Sequence, residues 1–180
     1  MNGNDHFAGL PAAPEFAVTS SSVTHGMHLP LAQMSAIFGI DGGRDASPQL
    51  SWSGAPERTK SYAVTVYDPD APTGSGLWHW AVMGIPADIT SLPEGAGDDE
   101  GSGLPAAAVQ LRNDIGLARF LGGAPPAGHG RHRYVIVVHA LDTDDLGLSP
   151  DTTPAVLGFT LSTHVLARAV LEPFAETPAG

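Results

Sequence analysis

The chain has 180 residues and 18.5 kDa, about one domain's worth, and its 42% hydrophobic content with a mean hydropathy of +0.02 is enough to build a core. Nineteen acids against eight Lys and Arg give a formal charge of -11, which excludes a general electrostatic grip on nucleic acid or on an anionic membrane surface, though not a small local anion pocket. With no cysteine, disulfides, thiolate nucleophiles and zinc–cysteine sites are excluded as well. No apolar run approaches the roughly 20 residues of a membrane-spanning helix, so no stable membrane insertion is expected. The first residues lack the basic start and apolar stretch of a secretory signal, and the expected location is cytoplasmic.

Residues 1–14 mix Gly, Pro, Asn and Ala without periodicity and read as a loose leader; 15–176 read as a single domain and 177–180 as a flexible tail. Short apolar runs at 16–20 and 49–53 are candidate strands. The β-branched and aromatic run 61–67 is a strand by composition. The next is 77–85, whose alternation would put Leu77, His79, Ala81 and Met83 on one face and Trp78, Trp80, Val82 and Gly84 on the other. A nearly continuous apolar strand follows at 133–141. Between these lie two long Gly- and Pro-rich stretches, 86–104 and 112–131. Thr153 and Pro154 supply a cap and a first-turn proline for a helix over 155–171, with Val156, Phe159, Val165, Leu166 and Val170 on one apolar face and Pro173 as the stop. Strands followed by one terminal helix predict a mainly β, antiparallel domain rather than a doubly wound parallel sheet.

Two polar clusters sit at strand ends. Asp68-Pro69-Asp70-Ala71-Pro72 is stiffened by its prolines and holds two carboxylates just before the strand that carries His79. An acidic Asx-turn is the plainer reading of that loop taken alone. The second cluster, Gly128-His129-Gly130-Arg131-His132-Arg133-Tyr134, opens the 133–141 strand after Ala124-Pro125-Pro126, and alternation places His132 and Tyr134 on one side. If the strands pair, His79, His132 and Tyr134 line one pocket whose imidazole, phenol and backbone donors suit an oxyanion, with the carboxylates orienting the histidines. Trp52 and Trp80 read as packing and Trp78 as a candidate rim residue. His139 reads as a satisfied core or interface histidine, and His129 shows no discernible partner. The residue types would also suit zinc, but H-x-x-x-H and H-x-E spacings are absent and His129-x-x-His132 is too weak alone, so neither metal nor cofactor is expected. The acids Glu94, Asp98, Asp99 and Glu100 offer a weaker alternative, an acidic docking edge.

The combination of DASPQLSW (45–52), YDPDAPTGSGLWHW (67–80), Asn113-Asp114, APPAGHGRHRY (124–134) and STHVLARA (162–169) resembles the phosphatidylethanolamine-binding protein family, in its bacterial Raf-kinase-inhibitor-like branch. The resemblance spans roughly 16–174. It implies two antiparallel sheets with an anion cavity at one end and a C-terminal helix beside it. Matching motif positions assign Asp68, Asp70, His79, His132, Tyr134, Ala124, Pro126 and Trp78 to ligand binding. It also implies a phosphorylated ligand such as a phosphoethanolamine-like head group, regulation of a kinase or another protein partner, and self-association as a homodimer. The stretch Gly122-Gly123-Ala124-Pro125-Pro126 is one residue shorter than the branch's usual rim. An acid–base enzyme of isomerase, cyclase or hydratase type is the alternative, with Asp70, His79 and His132 as its catalytic groups; no nucleophile motif accompanies them.

Overall fold

The computed structural model describes residues 6–180; residues 1–5 of the expected leader lie outside the described residues. Strands β1 (Ala17–Thr19), β2 (Leu50–Ser53), β3 (Ser61–Asp68), β4 (Leu77–Pro86), β5 (Ser91–Leu92), β6 (Val109–Gln110), β7 (His132–Arg133) and β8 (Val135–Leu141) precede helix α1 (Pro154–Leu161), which is followed by β9 (Val165–Leu171) and β10 (Phe174–Ala175). A five-stranded sheet, ordered β6-β4-β3-β8-β9, forms the centre; β1-β2-β5 make a second sheet and β7-β10 a short ribbon, with all named strand pairs antiparallel.

Both faces of the central sheet are buried, which is why β3 and β8 read as nearly continuous apolar runs. On the first face Val64, Val66, Trp80, Val82, Ile136 and Val138 pack against Leu50, Trp52 and Leu92 of the second sheet. On the second face Ala63, Ala81, Met83 and Leu141 meet Leu157 and Leu161 of α1. The helix therefore covers the face opposite the second sheet.

The predicted strands appear within a residue or two of their expected limits, but the terminal helix does not extend over 155–171. It stops at Leu161, and Val165–Leu171 forms β9 instead, paired with β8 from Ile136↔Leu171 to Leu141↔Val165. Thr160, Ser162 and Thr163 turn their hydroxyls back onto the carbonyls of Val156, Phe159 and Thr160, a local competition that weakens a helix at this point. The unpaired edge of β8 then offers Val165–Leu171 a full ladder of hydrogen bonds. The apolar face expected for the long helix is not formed, and Phe159 is left 80% exposed.

Strand β4 does not alternate cleanly either. Two register shifts interrupt its pairing with β3: Met83 and Gly84 bulge opposite Ala63, and His79 bulges between the pairs Val66↔Trp80 and Tyr67↔Trp78. Gly84, at φ 72, supplies the left-handed conformation the first bulge needs. The second bulge reverses the expected phase, so that His79 joins the face of Trp80 while Trp78 turns to the other.

The expected loose leader is tied down over part of its length. The Pro11 and Pro14 carbonyls accept from the side chain and backbone N–H of Arg168, and the Phe16 N–H donates to the Arg168 carbonyl. Among the described residues no helix is long and apolar enough to cross a membrane.

Candidate functional site

Strand β3 ends at Asp68, on the first face of the central sheet, with its carboxylate almost fully buried. One oxygen, Oδ1, accepts the backbone N–H of Asp70 at 2.8 Å, which fixes the turn through Pro69. The other lies 2.7 Å from His132 Nδ1. Because a carboxylate only accepts, His132 carries a proton on Nδ1 and presents Nε2 away from it. Nε2 in turn lies 2.7 Å from Nδ1 of His129, so the three side chains form an Asp68–His132–His129 chain.

Chain direction changes at Tyr134. β7 leaves the line of β8 there and pairs with β10 (Phe174↔Arg133, Ala175↔His132), while the Tyr134 N–H donates to the Pro173 carbonyl. Pro173, expected to stop a helix, links β9 to β10, and the C-terminal strand holds the backbone of His132. Burial, far outweighing a backbone hydrogen bond from Ala124, pushes the Tyr134 phenol well above its ordinary pKa, so it keeps its proton as a donor. The ring has room only because residue 123 is glycine: a Cβ there would lie 2.8 Å from the phenol oxygen.

His79, brought to this face by the bulge, stands edge-on to Tyr134 with ring centroids 5.0 Å apart. Its Nδ1 donates to the Leu121 carbonyl at 2.9 Å, leaving Nε2 buried with no hydrogen-bond partner among the described residues. Burial lowers its pKa below the ordinary histidine value, partly offset by the Leu121 bond and the Asp68 and Asp114 charges. The resting ring is therefore neutral, with a bare Nε2 lone pair that gains a proton most readily when an anion arrives to share it.

Asp70 is committed elsewhere. Its carboxylate receives Arg133 Nε at 2.8 Å, Arg133 Nη2 at 2.8 Å and the Arg133 backbone N–H at 3.0 Å. Burial alone would raise its pKa, but the Arg133 hydrogen bonds and charge together hold it below the usual carboxylate range. This bidentate clasp joins the end of β3 to β7 and sets His132 against Asp68.

Two loop acids shape the rim. Asp45, a non-glycine residue at φ 49, is held in that left-handed conformation by accepting the N–H groups of Gly122 at 2.7 Å and Ile37 at 3.0 Å. Asp114 accepts the Trp78 N–H at 2.8 Å, while Asn113 caps its own loop through Ile115, Leu117 and Arg119. The motif residues 45, 113 and 114 are thus braces for the segments that carry Leu121 and His79.

The family model for phosphatidylethanolamine-binding proteins matches residues 19–174. The chain belongs to this family. It is 47% identical to the UPF0098 protein YbcL of Escherichia coli over 91% of its own length and 89% of that protein's, and 43% identical to E. coli YbhB over 83% and 93%. The crystal structure of E. coli YbcL, described as a member of the mammalian PEBP family, superposes with a TM-score of 0.86, covering 90% of this chain and 98% of that one. A phosphatidylethanolamine-binding protein homologue from Chlamydia trachomatis, 27% identical, gives 0.74 over 91% and 99%.

Of the candidates that carry the family's motifs, Asp68, His79, His132 and Tyr134 come together on one face, Asp70 braces them, and Ala124 lies against Tyr134. Pro126 is exposed on the loop leading to His129. Trp78 is placed apart: the His79 bulge puts its indole on the second face, 4.5 Å from the Tyr67 ring by centroids, lining a cavity with Thr65 and His139. His129, without a discernible partner in sequence, is the residue that reading missed; its i, i+3 spacing to His132 across Gly130 was the available signal. The helix does not stand beside this site, because α1 packs on the second face. The acids of the proposed docking edge are largely engaged within the fold: Glu94 by Ser22, Gln33 and Arg44, Asp98 by Ser102, and Asp99 by Arg119.

Proposed function

We propose that this face binds a small oxyanion, in particular the phosphate monoester of a phosphoethanolamine-like head group. The observation that carries this reading is the buried, unpartnered Nε2 of His79 beside the Asp68-supported imidazole of His132. Asp68 fixes the His132 ring through Nδ1 and so aims its Nε2 edge at an incoming ligand. His79 can take up a proton on binding, and the Tyr134 hydroxyl supplies a neutral donor. A local receptor of this kind is compatible with the overall charge of -11 because the contacts are short and screened from the bulk surface. The arrangement favours a receptor over an acid–base enzyme, since Asp70 is saturated by Arg133 and is not available as a base.

The test is titration of the intact protein with phosphoethanolamine, inorganic phosphate and methyl sulfate, following histidine side-chain NMR signals from pH 5.5 to 8. Saturable shifts at His79 and His132, with binding that strengthens as pH falls, are expected for phosphate esters. Comparable affinity for phosphate and phosphoethanolamine would restrict the site to the anion alone. Unmoved His79 and His132 signals would refute the reading.

A further inference from the structure

A second cavity lies on the opposite face of the central sheet, beneath α1, with a volume of about 560 Å³. Its walls are mainly apolar, built by Leu10, Pro11, Trp78, Ala155, Phe159 and Leu161. Its floor is a row of polar residues. His139 and Arg168 are directly opposed across β8 and β9, and Thr65 lies on the neighbouring strand β3, its hydroxyl 3.0 Å from His139 Nε2.

These floor groups are buried without being fully used. Arg168 and His139 are 8% and 7% exposed, and among the described residues Arg168 Nε and His139 Nδ1 have no hydrogen-bond partner. Arg168 donates from Nη1 to the Pro11 carbonyl at 2.9 Å and lies near the Phe7 ring, but among the described residues it enters no ion pair. The exposed carboxylate of Glu15, whose backbone bridges to Arg168, does not reach it. A buried guanidinium keeps its charge, and an unneutralised buried charge is costly unless something completes it. Burial holds the His139 pKa at about 3, helped by repulsion from Arg168 and from His6, which also lines the cavity, so His139 is neutral and supplies a hydrogen bond rather than a further cation.

The geometry points to a binding site for a carboxylate-headed amphiphile: a monoanion seated on Arg168 and His139, with an aliphatic or aromatic body against Trp78 and α1. One negative charge matches the guanidinium of Arg168, which enters no ion pair among the described residues. With the Thr65 hydroxyl donating to Nε2, His139 offers its Nδ1–H to the second carboxylate oxygen. The volume falls in the range of small-molecule sites, and the mostly apolar wall with a few convergent polar groups is their usual construction.

Octanoate is the probe and octanol its uncharged counterpart. Octanoate titrated into the intact protein is expected to give saturable NMR shifts at Arg168 Nε–H, the His139 ring and the Trp78 indole, with octanol at least tenfold weaker. Arg168→Gln should remove that preference. Should this variant fail to fold, Gly158→Leu carries the test, because a Cβ at Gly158 meets no atom within 4 Å and the side chain fills the cavity at a helical position. Gly158→Leu should abolish octanoate binding while leaving phosphate-induced shifts at His79 and His132 unchanged. Equal affinity for octanol and octanoate, octanoate shifts confined to His79 and His132, or binding undiminished in Gly158→Leu would each overturn the assignment. So would concentration-dependent dimerisation that buries Phe159 and leaves the cavity unresponsive to octanoate, which would make a second copy its occupant.

Discussion

Replacing Asp68 by Asn tests the central chain of the site at a single atom. The amide oxygen can still accept the Asp70 N–H, as Oδ1 does now at 2.8 Å. Its NH₂ then faces His132 Nδ1, where Oδ2 now accepts at 2.7 Å, so the imidazole must present a lone pair there and move its proton to Nε2. His129, 2.7 Å beyond, must reverse its own tautomer in turn. The variant exchanges a hydrogen bond to a charged acceptor, contributing about 1.5–3 kcal/mol, for a neutral one contributing about 0.5–1.5 kcal/mol, a net loss of about 1–2 kcal/mol. Solvent screening does not diminish that loss, since both side chains are almost fully buried. Urea unfolding at pH 7 measures the stability change, and long-range ¹⁵N–¹H spectra of the His132 ring report the tautomer. A variant with wild-type stability and with the His132 proton still on Nδ1 would refute the chain as described.

Three further substitutions probe separate parts of the argument. His129→Ala removes the group that occupies His132 Nε2 and should tighten phosphate binding about 2- to 10-fold, the worth of one hydrogen bond, as measured by calorimetry; weaker binding would make His129 a ligand rather than a competitor. Gly123→Ala should cost about 1–3 kcal/mol in urea unfolding, because its Cβ would stand 2.8 Å from the Tyr134 ring and 2.9 Å from Leu29; wild-type stability would show that the rim yields freely. His139→Gln addresses pH. With a folded pKa of about 3 against 6.5 unfolded, the unfolded chain binds the extra proton between those values. The contribution of His139 is therefore complete above pH 6.5 and falls by about 1.4 kcal/mol per pH unit as pH drops toward 3. Urea unfolding from pH 7 to 4.5 should show that slope in the wild type and a shallower one in the variant, and equal slopes would contradict the burial of a neutral His139.

Much of the candidate site is legible in the chain because its geometry is local. Two prolines fix Asp68 and Asp70 relative to β3, and glycines at 128 and 130 (φ 72 and 91) carry the chain to His132 at the start of the next strand. What alternation misjudged is His79 and Trp78, because one bulged residue reverses every side chain on one side of it. A bulge is set by the partner strand and by the Leu121 carbonyl waiting for Nδ1, neither of which is visible in 77–85 alone. His129 was missed for a related reason: its partner nitrogen exists only once Asp68 has oriented His132.

The same division holds for the fold. Composition, β-branched runs and turn residues determine a mainly antiparallel β domain, since each strand's preference lies in its own residues. The sequence 165–171 is different. Its apolar residues satisfy a helical face as well as a strand, and local propensity does not separate the two. The free edge of β8 decides it, because pairing there gives the backbone of 165–171 its hydrogen bonds and places Arg168 directly opposite His139. That choice also creates the second cavity, whose floor joins residues 65, 139 and 168 from three strands. Tertiary structure alone decides such a site, since no local pattern links positions that meet only through sheet register.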